Sequence, residues 1–337
     1  MILPLLGHIY GKIADLRNRL YDRGVFESYY LGARTISIGN ITTGGTGKTP
    51  LVAYVANLLA DGGEKVCILT RGYGRKDPSK RVFVSDGIEI FATPEESGDE
   101  PFELAQKLPG KAIIIADADR VEAAKWAIRK FGVTAFVLDD GFQHRRAERD
   151  VDIVCIDATD PFGRRQMLPA GRLREPIENL TRADAVVITR SDLADIENLK
   201  FEISDLRSGI PIFSTMNKIA RVVELESGNA IDHDRSIDFT SRRAFAFCGL
   251  GNPENFYALL RRDGFTVVET RSFRDHHYYS QADITELEVA ARDCRAEIFL
   301  ITAKDAVKLS EVKFEVPCFV VEIDIEINDS DSFAQIL

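Results

Sequence analysis

The chain has 337 residues, of which 45% are hydrophobic, so it can bury a sizeable core, and its length predicts one large domain plus a smaller one. Its formal net charge of −10 argues against a nucleic-acid partner, because binding a polyanion usually requires a basic face. It lacks both a run of about eighteen apolar residues and a leader of the secretory type, so neither a membrane-spanning helix nor export is expected.

The first predicted element is an amphipathic helix within residues 1–30. Its apolar residues fall within an arc of about 100° on a helical projection. Residues 1–35 contain five basic and three acidic residues, so this segment is locally positive. Such a helix lies either in a bilayer interface or against the protein's own core, and periodicity alone leaves both open. The stripe comprises Ile2, Leu5, Leu6, Ile9, Ile13, Leu16 and Leu20.

Residues 31–215 are predicted to form the main domain. Short apolar strands alternate with helical patterns, as in parallel βαβ units. A glycine-rich loop and a helix over Pro50–Ala60 follow the first strand. The predicted fold class is therefore α/β, with a P-loop NTPase-like, doubly wound, mostly parallel sheet. Its strands are predicted at Thr35–Ile38, Val66–Thr70, Ala112–Ala116, Ala135–Leu138, Asp152–Ile156 and Ala185–Thr189.

A smaller α/β domain is predicted over residues 242–337, where it would contribute to the active-site cleft. The periodic pattern weakens over residues 216–241, which we interpret as a linker region. The second domain starts with an apolar run that leads into Gly249–Pro253 and a helix through Leu260. Its strands are predicted at Ala244–Cys248, Glu297–Thr302 and Cys318–Ile325.

The glycine-rich loop after the first strand predicts a phosphate-binding site. Glycines let successive backbone N–H groups turn toward phosphates, a lysine reaches the terminal phosphates, and a hydroxyl binds magnesium. The common pattern has glycine at position 42, where this chain has threonine, and Gly44 and Gly45 are expected to supply the bend instead. The predicted nucleotide ligands are Thr43, Gly44, Gly45, Thr46, Gly47, Lys48 and Thr49.

Two acids, Asp139 and Asp140, follow the predicted strand Ala135–Leu138. An acid at the carboxyl end of a strand is typical of a magnesium site beside bound nucleotide, although two acids can also simply mark the exit of a strand. We predict Mg²⁺ ligands at Thr49, Asp139 and Asp140. Gln143 lies in the compact polar turn that follows and can reach the nucleotide.

Arg71 and Arg75 flank a Gly-Tyr-Gly turn after the second strand of the main domain. Guanidinium groups match phosphate oxygens in geometry, so these residues can bind the nucleotide or a phosphate of the substrate. The alternative is a solvated loop.

Several motifs together resemble the tetraacyldisaccharide 4'-kinase family of lipid A biosynthesis. The resemblance begins at Ser37–Asn40 and continues, in the same order, nearly to the end of the chain. It is more specific than a phosphate loop alone. The matching blocks are Ser37–Asn40, Gly44–Pro50, Arg71–Arg75, Asp139–His144, Leu168–Pro176, Gly249–Pro253, Asp275–His277 and Thr302–Asp305. Residue 303 departs from the family, which more often has an acid there.

The resemblance implies a phosphotransferase that moves the γ-phosphate of ATP, with Mg²⁺, to the 4'-hydroxyl of a tetraacyldisaccharide 1-phosphate. It further implies a peripheral location on the cytoplasmic face of the bacterial inner membrane, with residues 1–30 in contact with the bilayer. The expected partners are the lipid substrate and the bilayer surface. No nucleic acid and no obligate protein partner are inferred.

The resemblance also implies roles for individual residues. Asp99 would be the catalytic acid–base group, with His276 orienting it or sharing its proton, and Lys48 would act on the transferred phosphate. Taken alone, Asp99 also fits a helix N-cap, and His276 and His277 fit a polar loop. Glu175 would help to hold the magnesium ion. Arg172 or Arg174 would contact phosphate.

Two other functions compete with the kinase. A P-loop GTPase acting in metal insertion would commonly carry N-K-x-D at a strand end, but Thr189–Asp192 and Thr302–Asp305 lack that order. A nucleotide-gated membrane scaffold would need the phosphate loop but would have no use for Asp99 or the histidine pair.

Overall fold

The computed structural model describes residues 2–225, 239–275, 277–309 and 312–337. The chain forms two compact units, Met1–Met216 with Ile325–Leu337, and Asn217–Asp324. Residues 325–337 thus join the first unit, where the rings of Phe213 and Phe333 pack with centroids 5.1 Å apart. The functional division into a kinase core, a linker over 216–241 and a cleft-forming domain stays a prediction.

The described strands are β1 (Arg34–Gly39), β2 (Val66–Thr70), β3 (Val82–Ser85), β4 (Ala112–Ala116), β5 (Ala135–Asp139), β6 (Val151–Asp157), β7 (Ala185–Thr189), β8 (Ile212–Glu224), β9 (Arg243–Cys248), β10 (Thr266–Ser272), β11 (Ile298–Thr302) and β12 (Cys318–Ile327). The first unit contains an α/β sheet in the order β8-β7-β6-β1-β5-β2-β4-β3, in which β3 alone among these strands runs antiparallel to its neighbour. The second unit contains the parallel order β10-β9-β11-β12. The mostly parallel α/β class is therefore confirmed.

Helices cover both faces of the first sheet, as the alternation of its strand side chains requires. Val66 and Ile68 pack in the cluster that contains the buried face of the helix Lys48–Asp61, whereas Cys67 and Leu69 pack in the cluster that contains buried residues of the helix Arg120–Phe131. The helices are α1 (Ile2–Asp22), α2 (Lys48–Asp61), α3 (Pro94–Ser97), α4 (Asp99–Lys107), α5 (Arg120–Phe131), α6 (Glu197–Leu206), α7 (Glu254–Arg262), α8 (Gln281–Cys294), α9 (Ala303–Ala306) and α10 (Ser330–Ile336).

Strands β3, β8 and β10 were not predicted. β8 runs through residues that the sequence suggested were a linker, because its polar and apolar residues do not alternate cleanly. Its burial is mixed along its length, so period-two patterning is weak there. Residues 226–238, in the remainder of the expected linker, lie outside the described residues.

Helix α1 turns its small residues inward and its apolar stripe outward. Gly7, Gly11 and Asn18 are buried, and a Cβ at Gly7 would lie 2.9 Å from the carbonyl oxygen of Met167. Leu5 and Ile13, in contrast, are each 61% exposed. The reading of α1 as a helix that buries its apolar stripe in its own core is therefore wrong. Of the helices in the described part of the chain, none combines the length and the apolar character needed to cross a membrane.

Candidate active site

Several polar loops of the first unit leave the same edge of the sheet, because the carboxyl ends of its parallel strands meet there. The glycine-rich loop leaves β1, and Asp140 follows β5 directly. Arg71 follows β2, and Arg190 follows β7. Strand order thus gathers residues that are far apart in the chain.

The glycine-rich loop is held through its carbonyl groups. Arg172 donates from Nε and Nη2 to the carbonyl oxygen of Thr43, at 2.8 and 2.6 Å. Arg190 Nη1 donates to the carbonyl oxygen of Gly45 at 2.9 Å, and Thr189 Oγ1 donates to that of Thr46 at 3.0 Å. Donors from outside the loop therefore fix its backbone conformation.

Gly44 has a backbone conformation that excludes a side chain. Its φ is +106°, and a Cβ there would lie 2.2 Å from Nη2 of Arg172. Glycine is the residue that tolerates both conditions. The loop therefore bends at Gly44, as the sequence predicted, in a conformation that favours glycine. Contact of Gly44 with a nucleotide stays a prediction.

Helix α2 begins at Lys48, directly after Gly47, whose φ of 73° is left-handed. Of the described residues, none caps this helix end with a side chain. An uncapped N-terminus presents free N–H groups and the positive end of the helix dipole, which favours an anion. Lys48 Nζ lies 3.5 Å from Oδ1 of Asp140, so its ammonium group lies near the carboxyl end of β5.

The two acids at the end of β5, Asp139 within the strand and Asp140 directly after it, have opposite electrostatic environments. Burial raises the pKa of Asp139 well above its usual range, and the Glu100 carboxylate adds to this effect. Thr70 Oγ1 donates to Asp139 Oδ2 at 3.0 Å. Burial also opposes ionisation of Asp140, but Lys48 and then Arg174 outweigh it and lower the pKa of Asp140 to about 2. Asp140 is therefore ionised at neutral pH, whereas the buried carboxyl of Asp139 is stabilised by a bound cation or by a proton.

Glu175 is the centre of a buried hydrogen-bond cluster. Its exposed fraction is 2%, and both carboxylate oxygens accept hydrogen bonds from side chains. Oε1 accepts from Gln143 Nε2 at 2.7 Å, and Oε2 accepts from Asn18 Nδ2 at 2.9 Å and Arg182 Nη1 at 2.9 Å. Asn179 Nδ2 donates to Oε2 at 3.0 Å. In this arrangement the carboxylate binds protein donors, so the predicted role as a magnesium ligand would require it to exchange partners.

The arginines expected to bind phosphate differ in their contacts. Arg71 is exposed after β2, so its guanidinium is accessible. Arg75 is buried and donates to the carbonyl oxygens of Ala116 and Pro78, at 2.7 and 2.6 Å, which is a structural use of its guanidinium. Arg174 Nη1 lies 2.8 Å from both oxygens of Asp140. Arg172 also binds Asp160, at 2.6 Å.

Asp99 is the first residue of α4 and is 5% exposed. The cap position belongs to Gly98, so the N-cap alternative for Asp99 is wrong. A Cβ at Gly98 would lie 2.7 Å from the carbonyl oxygen of Tyr73, which shows how closely the Arg71–Arg75 loop approaches. Asp99 is thus a buried acid next to a loop that carries an accessible arginine.

The histidine pair lies in the second unit. His276 is outside the described residues, so its predicted role stays a prediction. His277 stacks on Phe273 with ring centroids 4.7 Å apart, and its Nε2 is 3.4 Å from Asp283 Oδ2. These contacts are consistent with a structural role for the second histidine.

Some residues of the site were not identified from the sequence. Arg120 is buried at the start of α5 and donates from Nη2 to the carbonyl oxygen of Asp139 at 3.1 Å. Asn40 Nδ2 donates to Thr46 Oγ1 at 2.8 Å. Arg190 could have been identified from the sequence, because it directly follows a predicted strand. Arg120 could not, because its contact with Asp139 depends on the strand order.

The donor set near Lys48 fits a magnesium ion that arrives with a nucleotide. Thr49 offers a hydroxyl, and Asp139 and Asp140 offer carboxylates. Within the described ranges, no group of three or more His, Cys, Asp or Glu residues could hold a metal by itself. Mg²⁺ is usually bound by one or two carboxylates together with phosphates, so this set suits it.

Comparisons with known proteins give one consistent result. Residues 1–337 match the family described as LpxK, tetraacyldisaccharide-1-P 4'-kinase. A tetraacyldisaccharide 4'-kinase from Syntrophus aciditrophicus is 36% identical over 348 residues, which cover 100% of this chain and 92% of that protein. The protein of the same name from Geobacter metallireducens is 39% identical over 311 residues, covering 92% of this chain and 89% of the relative.

A solved structure agrees with the sequence relatives. The crystal structure of LpxK from Aquifex aeolicus in complex with ATP superposes with a TM-score of 0.80 at 34% sequence identity. The match covers 98% of this chain and 96% of that one. The similarity therefore extends over essentially the whole of both chains.

Proposed function

This chain belongs to the tetraacyldisaccharide-1-P 4'-kinase family, and on that premise we propose how its residues carry out the reaction. It is a kinase of lipid A biosynthesis that uses ATP to phosphorylate the 4'-hydroxyl of tetraacyldisaccharide 1-phosphate. The observation that carries the mechanism is the pairing of Lys48 with Asp140 at the start of α2. It puts a cation and an acid at the helix end that favours phosphate.

The triphosphate of ATP binds in the loop 43–49. Backbone N–H groups at the start of α2 and the ammonium of Lys48 receive the terminal phosphates. The contacts of Arg172 and Arg190 with loop carbonyls support this role, because they hold the loop in one conformation before ATP arrives. Less reorganisation is then needed in the transition state.

Thr49, Asp139 and Asp140 would hold Mg²⁺ together with the phosphates of the nucleotide. When bound, the ion supplies charge stabilisation to the phosphoryl oxygens. The raised pKa of the buried Asp139 supports this assignment, since a nearby divalent cation would favour its charged form. Glu175 would add a carboxylate to this set by exchanging a hydrogen bond from Asn179 or Arg182 for the ion, while the hydrogen bond from Asn18 is kept.

Asp99 accepts the proton of the 4'-hydroxyl while the hydroxyl oxygen bonds to the γ-phosphorus and ADP leaves. A sugar hydroxyl is a poor nucleophile at neutral pH, so a base within hydrogen-bond reach lowers the barrier. The burial of Asp99 at the start of α4 supports this role. The resemblance assigns His276 as its partner.

The lipid substrate is met at the cytoplasmic face of the inner membrane, where α1 lies in the bilayer interface. The exposed leucines and isoleucines of α1 support this location, because such a surface is stabilised by contact with acyl chains. Arg71, which is exposed beside the Asp99 loop, contacts a phosphate of the lipid. Arg174 contacts phosphate once the triphosphate competes with Asp140 for its guanidinium.

The alternative of a metal-insertion GTPase, or of a nucleotide-gated scaffold, is not favoured. The family and the named relatives are kinases over the full length of the chain.

The test is a transfer assay with purified protein, Mg²⁺, labelled ATP and tetraacyldisaccharide 1-phosphate in detergent micelles. We expect a doubly phosphorylated lipid from the wild type. Lys48→Ala should lower the rate by roughly 10²–10³-fold, and Asp99→Asn by roughly 10²–10⁴-fold. Lys200→Ala, at a half-buried position of α6 where the lysine pairs with Glu197, is the matched lysine control. Wild-type rates from Asp99→Asn would remove that residue from the mechanism.

A further inference from the structure

Asn18 is an unusual residue for its helix. Helix α1 exposes most of its side chains, yet Asn18 is only 5% exposed. A buried amide is costly without partners. Its Nδ2 donates to Oε2 of Glu175 at 2.9 Å, across 157 positions of sequence. A second contact holds the same helical turn, because Arg145 Nη1 donates to the backbone carbonyl of Asn18 at 2.8 Å.

The contact of Asn18 continues through Glu175 toward the nucleotide loop. Glu175 Oε1 accepts from Gln143 Nε2 at 2.7 Å, and that same nitrogen donates to the carbonyl oxygen of Asn40 at 2.8 Å. Asn40 in turn donates to Thr46 within the loop at 2.8 Å. The carboxylate of Glu175 thus orients one amide that touches the entrance of the phosphate loop.

A second branch leads from Gln143 to the catalytic lysine. The amide oxygen of Gln143 accepts from Arg174 Nη1 at 3.2 Å. The same Nη1 lies 2.8 Å from Asp140, and Asp140 lies 3.5 Å from Nζ of Lys48. Hydrogen bonds and ion pairs therefore connect the buried face of α1 with Lys48 without a break.

From this connection we propose that Asn18 is a positioning residue for phosphoryl transfer, acting through Glu175 and Gln143 on the phosphate loop and Lys48. The helix that exposes its apolar face for the bilayer thereby takes part in ordering the nucleotide site. The inference rests on the proposed bilayer contact of α1 and on the proposed role of Lys48.

The experiment uses full-length protein and lipid substrate in phospholipid vesicles, with kcat and the KM for ATP measured separately. Asn18→Ala should lower kcat by roughly tenfold, which corresponds to ~1.4 kcal/mol, while vesicle binding is unchanged. Asn18→Gln keeps an amide and should recover part of the loss, whereas a role in packing alone would make the longer side chain worse. Asn198→Ala, on the exposed surface of α6, is the matched asparagine control.

A double-mutant cycle then tests the route. If Asn18 acts through Gln143, Asn18→Ala should add little to the loss caused by Gln143→Ala. Effects that multiply would overturn the route, and an unchanged kcat for Asn18→Ala would overturn the proposal. A wild type that phosphorylates no lipid would instead contradict the proposed function, so the two failures are separable.

Discussion

At the scale of single residues, the neighbouring acids Asp139 and Asp140 show how position decides charge. Asp140 has two cationic partners, Lys48 and Arg174, and its pKa is lowered to about 2. Asp139 is almost fully buried, and burial raises its pKa. Adjacent groups whose pKa values are pushed apart are typical of catalytic sites.

We predict opposite effects on stability from changing these two acids. A carboxyl whose folded-state pKa is raised destabilises the fold as pH rises above its unfolded value near 4, so Asp139→Asn should stabilise the protein at pH 8 by ~1–2 kcal/mol. The gain should shrink toward pH 4. Asp140→Asn should destabilise at pH 8, because a lowered pKa contributes stability that is lost only as pH falls toward 2.

Thermal or urea unfolding at several pH values, in buffer with a chelator and without nucleotide, measures both effects. Destabilisation by Asp139→Asn at pH 8 would contradict the electrostatic assignment. The same variant should lose transfer activity, since its amide cannot hold Mg²⁺ as a carboxylate does.

The two arginines around the Gly-Tyr-Gly turn should separate stability from binding. Arg75→Ala removes one buried and one partly buried hydrogen bond to carbonyl groups, so it should lower the free energy of unfolding by ~2–3 kcal/mol. Arg71→Ala, at an exposed position, should leave stability within about 0.5 kcal/mol and raise the KM for lipid. Unfolding curves and lipid titrations decide this, and a reversed pattern would show that the roles are exchanged.

At the scale of elements, the glycines of the loop differ in how well they tolerate a side chain, and Gly44 and Gly45 give the clearest contrast. Gly44→Ala meets Arg172 at 2.2 Å and has φ of +106°, so we expect at least a tenfold loss of ATP affinity. A Cβ at Gly45 meets nothing within 4 Å, so Gly45→Ala should lower the affinity for ATP clearly less than Gly44→Ala does. Titration with a fluorescent ATP analogue compares them, and equal losses would contradict the steric argument.

Helix α1 should bind a bilayer through its exposed apolar stripe. The double substitution Ile9→Ser with Ile13→Ser removes two side chains that are 46% and 61% exposed, so folding should be little affected. Vesicle affinity should fall roughly tenfold to a hundredfold in cosedimentation. This test is sharper than deleting the helix, because deletion also removes the contact of Asn18 with Glu175.

Phe201→Ser, on α6, is the control for that experiment, since Phe201 is 76% exposed on a different helix. Its vesicle binding should equal that of the wild type. If the α1 double variant also binds vesicles as the wild type does, the interfacial assignment of α1 is incorrect.

At the scale of the whole molecule, charge is distributed unevenly between the N-terminal segment and the rest. The chain carries a net charge of −10, yet residues 1–35 contain five basic and three acidic residues. An anionic membrane repels the acidic bulk and attracts the basic segment, so electrostatics favours an orientation with α1 toward the bilayer.

Nucleotide binding should stabilise the whole protein selectively. A ligand at a hundred times its Kd adds about 2.7 kcal/mol to the free energy of unfolding. We therefore expect Mg²⁺-ATP to raise the Tm by several °C, with a smaller effect from GTP, because the guanine signature N-K-x-D is absent from Thr189–Asp192 and Thr302–Asp305. Lys48→Ala should remove most of the ATP effect. Equal stabilisation by GTP would favour the GTPase alternative.

The sequence by itself determined the features that depend on neighbouring residues in the chain. Hydrophobic runs located strands such as Val66–Thr70 and Ala185–Thr189 at their observed bounds. The order of strand, glycine-rich loop, Gly-Lys-Thr and helix located a loop at the start of α2, and phosphate binding there stays a prediction. The motif order indicated the family, which the comparisons confirm over residues 1–337.

Only the tertiary structure decided how individual side chains are used. Periodicity defined the apolar stripe of α1 but not whether it faces the core or the solvent. Guanidinium chemistry suggested a ligand contact for Arg75, and the family resemblance suggested one for Arg172 and for Glu175. The fold directs Arg75 and Arg172 to backbone carbonyls, and Glu175 to Asn18 and Gln143. The physical reason is distance along the chain. Periodicity and turn chemistry are local, but the partner of a buried charge is set by the strand order that brings remote segments together.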